Sequence, residues 1–189
     1  MGVLVLVLGD FHIPHRAAEV PAQYKEMITP NKVNTVICTG NLGCREIHDW
    51  VKSLSSNIHI VKGDFEDDGI KELPEDKVVE IAGFKIGVIH GHQIIPWGDE
   101  EALANKAVDL GVELLISGHT HGLKSNSHNG IQFINPGSLT GAFSTLCVEP
   151  SPSFVILEIK QHEVTVYSYS LHGEEIKCED SKFERRTAA

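Results

Sequence analysis

Five times along the chain an extended or apolar run ends in a glycine-containing turn that carries Asp, Asn or His. The turns are Gly9-Asp10-Phe11-His12, Gly40-Asn41, Gly63-Asp64, His90-Gly91-His92 and Gly118-His119-Thr120-His121. Val3 to Leu8, which leads into the first, is a continuous β-branched and leucine run, the pattern of a strand buried on both faces. Asn34 to Cys38 and Ile58 to Val61 repeat the arrangement, and helices are expected at Ala17 to Met27 and Arg45 to Ser55 between them. Strand ends in such α/β sheets gather at one edge, where ligands bind. A glycine beside each polar residue lets the backbone turn sharply and brings distant side chains toward a common centre.

The pattern then changes. Lys77 to Ile81 and Lys85 to Ile89 read as a hairpin around Ala82-Gly83-Phe84, its second strand running into His90. Glu100 to Leu110 is expected to be helical and Glu113 to Ser117 extended. Ile131 to Ile134, Phe154 to Ile159 and Val164 to Tyr169 read as strands with no strong helix between them, so a second, largely antiparallel sheet is expected from the last third. Without repeats, low-complexity stretches or a long linker, residues 1–189 are expected to form a single domain. The expected architecture is α/β, a four-layer α/β/β/α sandwich with two sheets face to face and helices outside. The acidic end from Gly173 shows some strand character at Ile176 to Cys178, and its last few residues are expected to be disordered.

Charge narrows the functional classes. A formal net charge of −10, without any run of Lys or Arg, argues against a nucleic-acid or anionic-membrane surface. Val3 to Leu8 is too short for a membrane span and has no charged leader; after Met1-Gly2, Leu6 stands where a myristoylation signal needs Ser or Thr. Cys38, Cys44, Cys147 and Cys178 lack C-x-x-C spacing and read as reduced thiols of a cytosolic chain.

Carboxylate, imidazole and amide oxygen together suit manganese, iron or zinc better than calcium, because imidazole is a borderline-soft donor. A lone histidine is usually a packed or surface residue, so repetition at strand ends carries the reading. His15, His48, His59, His128, His162 and His172 lie outside the turns and read as ordinary surface or hydrogen-bonded residues. His92 could orient a neighbouring ligand.

These turns resemble the motifs of the calcineurin-like metallophosphoesterases: D-x-H, G-D, G-N-H-D/E, H and G-H-x-H. The resemblance spans about positions 4–138. Segments such as His12-Ile13-Pro14-His15-Arg16, Ile95-Pro96-Trp97-Gly98-Asp99 and Ile134-Asn135-Pro136-Gly137-Ser138 are closer still to a branch of that family, the small subunits of the retromer coat. The resemblance implies one divalent ion, zinc or manganese, held by Asp10, His12 and His121, and a second held by Asp64, His90 and His119, with Asn41 between. Two of these positions depart from the enzymes, which have a bridging Asp at Asn41 and an Asn at Asp64. An amide offers one neutral ligating oxygen, so it joins two cations less well.

Phe65 is the larger departure, since the enzymes carry a catalytic His there that contacts phosphate or protonates the leaving oxygen. Without that help, typically worth about 10²- to 10⁴-fold, slow hydrolysis at most is expected. The resemblance therefore implies a non-catalytic scaffold in endosome-to-Golgi transport, the alternative being a zinc- or manganese-dependent phosphodiesterase or phosphatase of low activity. The implied partners are the large α-solenoid retromer subunit and accessory regulators, with no nucleic acid. Membrane contact is expected only through the coat, placing the chain in the cytoplasm and peripherally on endosomes. Ile95 and Trp97, apolar residues in a Pro- and Gly-containing loop just after His90, are expected to be exposed partner contacts. For Ile94 core and surface are equally expected. Ile156 and Tyr169 match positions that recruit accessory proteins in that branch.

Overall fold

The computed structural model describes residues 2–66 and 72–185. Its elements are β1 (Val3–Leu8), α1 (Ala22–Met27), β2 (Thr35–Cys38), α2 (Arg45–Ser53), β3 (Ile58–Ile60), β4 (Asp76–Ile81), β5 (Phe84–Ile89), α3 (Glu100–Leu110) and β6 (Leu114–Ile116). The chain continues through β7 (Leu123–His128), β8 (Ile131–Pro136), β9 (Ser153–Ile159), β10 (Glu163–His172) and β11 (Glu175–Glu184).

One sheet has six strands in the order β11-β10-β9-β1-β2-β3, and the other has five in the order β4-β5-β6-β8-β7. Alternation along β1 shows how the layers form, because successive side chains of a strand point to opposite faces. Val5 and Val7 enter the core between the sheets, with Ile86, Ile116, Val155 and Leu157. Leu6 and Leu8 point the other way and pack with Tyr24 of α1 and Val51 of α2. On the far side, Leu103, Ala104 and Ala107 of α3 cover Ile89, Leu115 and Phe133 of the second sheet. The result is the four-layer α/β/β/α arrangement.

Sheet membership differs from chain order. The strands of the last third do not form a sheet of their own: β9 pairs antiparallel with β1, and β10 and β11 extend the same sheet outward. The second sheet is mixed, with parallel β5–β6 and β6–β8 pairs flanked by antiparallel β4 and β7. Only β8 of the three expected strands joins it. A hydrophobic pattern specifies that a strand is buried, not which neighbour it pairs with, so tertiary packing decided the partner.

Three local readings also change. Val20 precedes Pro21, whose ring disfavours helical geometry in the residue before it, so α1 begins at Ala22 rather than Ala17. The polar strand β7, Leu123–His128, has no apolar alternation and is held by its ladder to β8. Strand β11 continues to Glu184 through a ten-residue ladder with β10 although most of its side chains are exposed. The final residues 186–189, expected to be disordered, lie outside the described residues.

Ile116 is fully buried between the sheets, whereas Val108 is largely exposed on α3. Ile116→Ala is expected to cost about 2–5 kcal/mol in urea unfolding, and Val108→Ala less than about 0.5 kcal/mol.

Candidate metal centre

The turns after β1, β2, β3, β5 and β6 meet at one edge of the sandwich. Asp10, His12 and His121 form one group and Asp64, His90 and His119 a second, with the potential ligand atoms of each group within 4.8 Å of one another. Asp10, His12, Asn41, His119 and His121 all have positive φ, between 50° and 69°. Non-glycine residues rarely adopt this region, and such strain clusters at functional sites. Gly118 is required for a different reason: a Cβ there would stand 2.7 Å from Asp10 Oδ2, so only glycine permits the carboxylate to sit against this turn.

Two imidazoles are oriented from behind. His90 Nδ1 lies 2.7 Å from the Thr39 carbonyl and His121 Nδ1 2.6 Å from that of Ala142. Donation to those carbonyls places a proton on each Nδ1, so that Nε2 is the nitrogen turned toward the cluster and able to ligate once any proton on it has been lost, as ligating histidines usually require. His12 Nε2 and His121 Nε2 face each other at 3.1 Å. His90 Nε2 is 2.9 Å from Asp64 Oδ1, and His119 Nδ1 is 3.6 Å from the same oxygen. Converging nitrogen and carboxylate donors of this kind fit a borderline divalent cation.

Asn41 reaches the junction of the groups, but its amide Nδ2 points inward, 2.9 Å from Asp64 Oδ1 and 3.3 Å from Asp10 Oδ1. Its Oδ1 accepts a 2.9 Å bond from the Phe65 backbone N–H. With the nitrogen turned toward the carboxylates and the oxygen toward the Phe65 N–H, ligation by Asn41 would need the amide to turn over, which would set its Nδ2 donor against that N–H.

Burial alone would raise the carboxyl pKa of Asp10, but the charge of His90 and hydrogen bonds from His12 and His121 outweigh it and hold the group far below the ordinary carboxylate range. Asp64 is likewise depressed, burial being overcome by bonds from His119, His90 and Asn41. For His90 burial pulls downward, and Asp10 and Asp64 nevertheless raise it above its ordinary value. His12 is lowered, chiefly by burial.

Glu66, which sequence reasoning passed over, fastens two of the turns. Its carboxylate accepts from the backbone N–H groups of Asn41 (2.6 Å), Leu42 (3.2 Å) and Gly63 (3.2 Å). The signal was the acidic last position of the G-N-H-D/E motif, which Glu66 fills, although the motif does not say what the acid would bond.

Above the groups opens a cavity of about 350 Å³ whose walls include Arg16, Phe65, Trp97, Phe143 and Leu146. Phe65 and Trp97 on its wall are 56% and 50% exposed, and Ile95, two residues before Trp97, is 80% exposed. The Trp97 ring packs edge-on to His119 at 4.7 Å and its Nε1 donates to the His92 carbonyl. Ile94, next to Ile95, is buried under α3. Exposed Phe143, Leu146 and Val148 lie on one loop, where isolated apolar residues carried no periodic signal. His92 lies beside His90, ring centroids 5.3 Å apart, without a hydrogen bond to a candidate ligand among the described residues. Ile156 and Tyr169 are elsewhere, on the outer face of the first sheet. There Tyr169 stacks on Phe154 at 4.7 Å, and Ile156 borders an apolar cavity of about 110 Å³ with Leu4, Leu6 and Met27.

The calcineurin-like phosphoesterase superfamily domain matches residues 3–162. The chain is 33% identical over 187 residues to the vacuolar protein sorting-associated protein 29 (Vps29) of Schizosaccharomyces pombe, covering 97% of this chain and 99% of the relative. It is similar to the structure of Vps29 from Cryptosporidium parvum, with 37% identity, a TM-score of 0.92 and coverage of 97% and 99% of the two chains. It is also similar to wild-type Vps29 from Entamoeba histolytica complexed with Zn²⁺, with 47% identity, a TM-score of 0.89 and coverage of 95% and 99%. The chain belongs to the calcineurin-like phosphoesterase superfamily and, within it, to the Vps29 family.

This geometry is testable in two ways. Asp10 and Asp64 are depressed, so their stabilisation is present above about pH 4 and lost as pH falls toward their folded values; His90 is raised, so its contribution is present below about pH 6.5 and lost as pH rises through its folded value. A cation binding the second group must displace the His90 proton, which is easier at higher pH. The rise in Tm on adding manganese or zinc should therefore be larger near pH 7.5 than near pH 5.5 by scanning fluorimetry; an equal rise would show that no imidazole proton is exchanged. Separately, Glu66→Ala, which strips the acceptor from three backbone N–H groups, should cost at least about 2 kcal/mol in urea unfolding, and Glu66→Gln, which keeps one oxygen, less.

Proposed function

We propose that the chain acts as a single domain and a non-catalytic subunit of the retromer coat. In this reading it serves endosome-to-Golgi transport by binding the large α-solenoid subunit through the apolar rim of the metal edge. The observation that carries this reading is the side chain of Ile95, 80% exposed in a Pro-containing loop five residues after His90. The ring of Pro96 restricts the neighbouring backbone, which lowers the ordering cost of association, and Ile95 offers area to bury in a groove between helices. Trp97 and Phe65 extend the same rim.

The two groups would hold up to two divalent ions, zinc or manganese: Asp10, His12 and His121 one, Asp64, His90 and His119 the other, with Asn41 between if its amide turns over. Such ions, when bound, supply Lewis-acid polarisation and positive charge at the floor of the cavity. Phe65, at the position of the enzymes' catalytic histidine, has no proton to give to a leaving group and no donor to offer a phosphate oxygen. In this reading the ions organise the turns that present Ile95 rather than drive turnover. Accessory regulators would use the separate face at Ile156 and Tyr169, where an apolar cavity lies beside the stacked ring. Among the described residues no helix is long and apolar enough to cross a membrane, and membrane attachment through the coat fits that observation.

A second reading, a metal-dependent phosphodiesterase of low activity, draws support from the completeness of both ligand groups. One paired experiment separates them: capture of the recombinant large subunit and hydrolysis of bis-nitrophenyl phosphate with manganese, for wild type, Ile95→Asp, Asp10→Ala and His90→Ala. Losing the burial of one isoleucine corresponds to at least about a ten-fold weaker capture for Ile95→Asp, with a smaller loss for the ligand variants. Wild-type turnover is expected below about 1 s⁻¹. Folded Ile95→Asp that captures its partner at wild-type affinity would remove this loop from the interface, and faster metal-dependent turnover would overturn the non-catalytic reading.

A further inference from the structure

β11 is the outermost strand of the six-stranded sheet, ten residues long, and among the described residues no strand pairs with its outer edge. The edge can be read group by group. Arg185 N–H donates to the His162 carbonyl at 2.9 Å, one step beyond the β10–β11 register. Backbone groups of successive residues turn to opposite sides of a strand, so the odd-numbered residues of β11 bond to β10. The even-numbered ones, Ile176, Cys178 and Asp180 among them, present N–H and C=O outward. The bond from Lys160 N–H to the Glu163 carbonyl, on the far side of β10, requires the same phase. An open ladder of this length is a template for another strand.

Charge decides which strand fits. In an antiparallel pair, residues directly opposite each other either both exchange backbone bonds or both do not, so outward residues must face outward residues. For a second copy of β11 the two-fold axis then passes through one residue position. An axis at Lys177, Glu179, Asp180 or Lys182 sets that residue against its own copy, a destabilising like-charge contact. Axes nearer the strand ends pair only a few residues. Ser181 and Cys178 remain. About Ser181 the complementary contact is Asp180 with Lys182, but Lys182 Nζ already lies 3.5 Å from Glu163 of its own chain. About Cys178, Lys177 faces Glu179 of the second copy and Glu179 faces its Lys177. Within the chain these two stand opposite the uncharged Ser170 and Ser168 of β10, and among the described residues neither has an ion-pair partner. Ile176 then meets Asp180 and Glu175 meets Ser181, so no like charges are opposed.

We infer that β11 pairs antiparallel with β11 of a second copy about Cys178, joining two six-stranded sheets into one. Facing outward residues exchange both N–H···O bonds, which the open edge lacks. The contact is one strand wide and each copy carries a formal charge of −10, so the dimer is weak and forms as concentration rises. Because the strands run antiparallel, the two metal edges lie at opposite ends of the joined sheet. Under the reading proposed above, one dimer would hold two large subunits. The register also places the exposed, free Cys178 thiols on the same face, with Cα atoms about 5.5 Å apart, the separation of a hydrogen-bonded antiparallel pair. That is within reach of a short thiol cross-linker.

The test is sedimentation velocity of the full chain in reductant across the micromolar range, with circular dichroism on the same samples and cross-linking by bis-maleimidoethane after the reductant is removed. Wild type should shift toward dimer as concentration rises and should cross-link; Cys178→Ser should lose the cross-link and sediment as wild type. Lys177→Glu and Glu179→Lys should each weaken association about ten-fold or more, since by symmetry two facing pairs turn repulsive. Combining Lys177→Glu with Glu179→Lys restores opposite charges and should recover wild-type association, a recovery that damage to the fold does not predict. Wild type that stays monomeric throughout overturns the inference, as does a dimer that forms no cross-link through Cys178. A dimer indifferent to Lys177→Glu but weakened by Lys182→Glu overturns the Cys178 register in favour of the one about Ser181.

Discussion

A fully buried carboxylate, Asp10, organises this end of the molecule. Its Oδ1 lies 3.5–3.9 Å from the ring nitrogens of His12, His90 and His121, and its Oδ2 accepts from the His119 backbone N–H at 2.8 Å. The backbone of Asp10 is committed too, its N–H donating to Gly40 and its carbonyl accepting from Ser138 Oγ. Removing a carboxylate from water is tolerable only when charge and hydrogen bonds surround it. Every turn that approaches Asp10 must therefore bring a donor. That requirement, more than any one ligand, draws strand ends from both sheets to a single point.

Topology makes the convergence possible. β1 lies inside the six-stranded sheet between β2 and β9, and its carboxyl end opens toward the same edge as those of β2, β3, β5 and β6. The two sheets meet through an apolar core of Val, Ile and Leu with Phe84, so the edge is a rim around a packed body rather than a set of independent loops. Polar bonds then trim the loops: Glu66 ties the turns after β2 and β3 together, and Thr39 and Ala142 orient two imidazoles from behind. The positive φ angles of five residues are held by these surroundings, and all five are Asp, Asn or His, the non-glycine types that enter that region most readily.

The apolar surface is divided between two places. Around the cavity, Trp97, Phe65, Phe143 and Leu146 form a wall above a floor of ionisable side chains, and Ile95 is exposed in the same loop as Trp97. On the outer face of the first sheet, Ile156, Leu4, Leu6 and Met27 border a smaller apolar cavity beside α1. Ile94 and Ile95 show how sharply the division is drawn: consecutive residues of similar apolarity, one sealed beneath α3 and the other 80% exposed. Ile94 holds the loop down against the second sheet while Ile95 stays outside.

Which side chains gather at the edge, and how the layers are made, was legible in the chain itself. Extended runs ending in glycine turns with Asp, Asn or His can expose those groups only at strand ends, and the alternation of Val5 and Val7 with Leu6 and Leu8 assigns each face of β1 a partner. The remainder was settled by packing in three dimensions. Pairing of β9 with β1, across more than a hundred residues, is a long-range choice that no local pattern encodes, and β7 is a strand because β8 offers it a ladder. The inward-facing amide nitrogen of Asn41 depends on the Phe65 N–H, the role of Glu66 on which backbone groups arrive beside it, and the position of the Arg16 guanidinium on the Phe65 ring, 5.0 Å away. Residue type states what a side chain can bond; the fold alone supplies the neighbour, because a hydrogen bond or a cation–π contact is a matter of a few ångströms in space and not of distance along the chain.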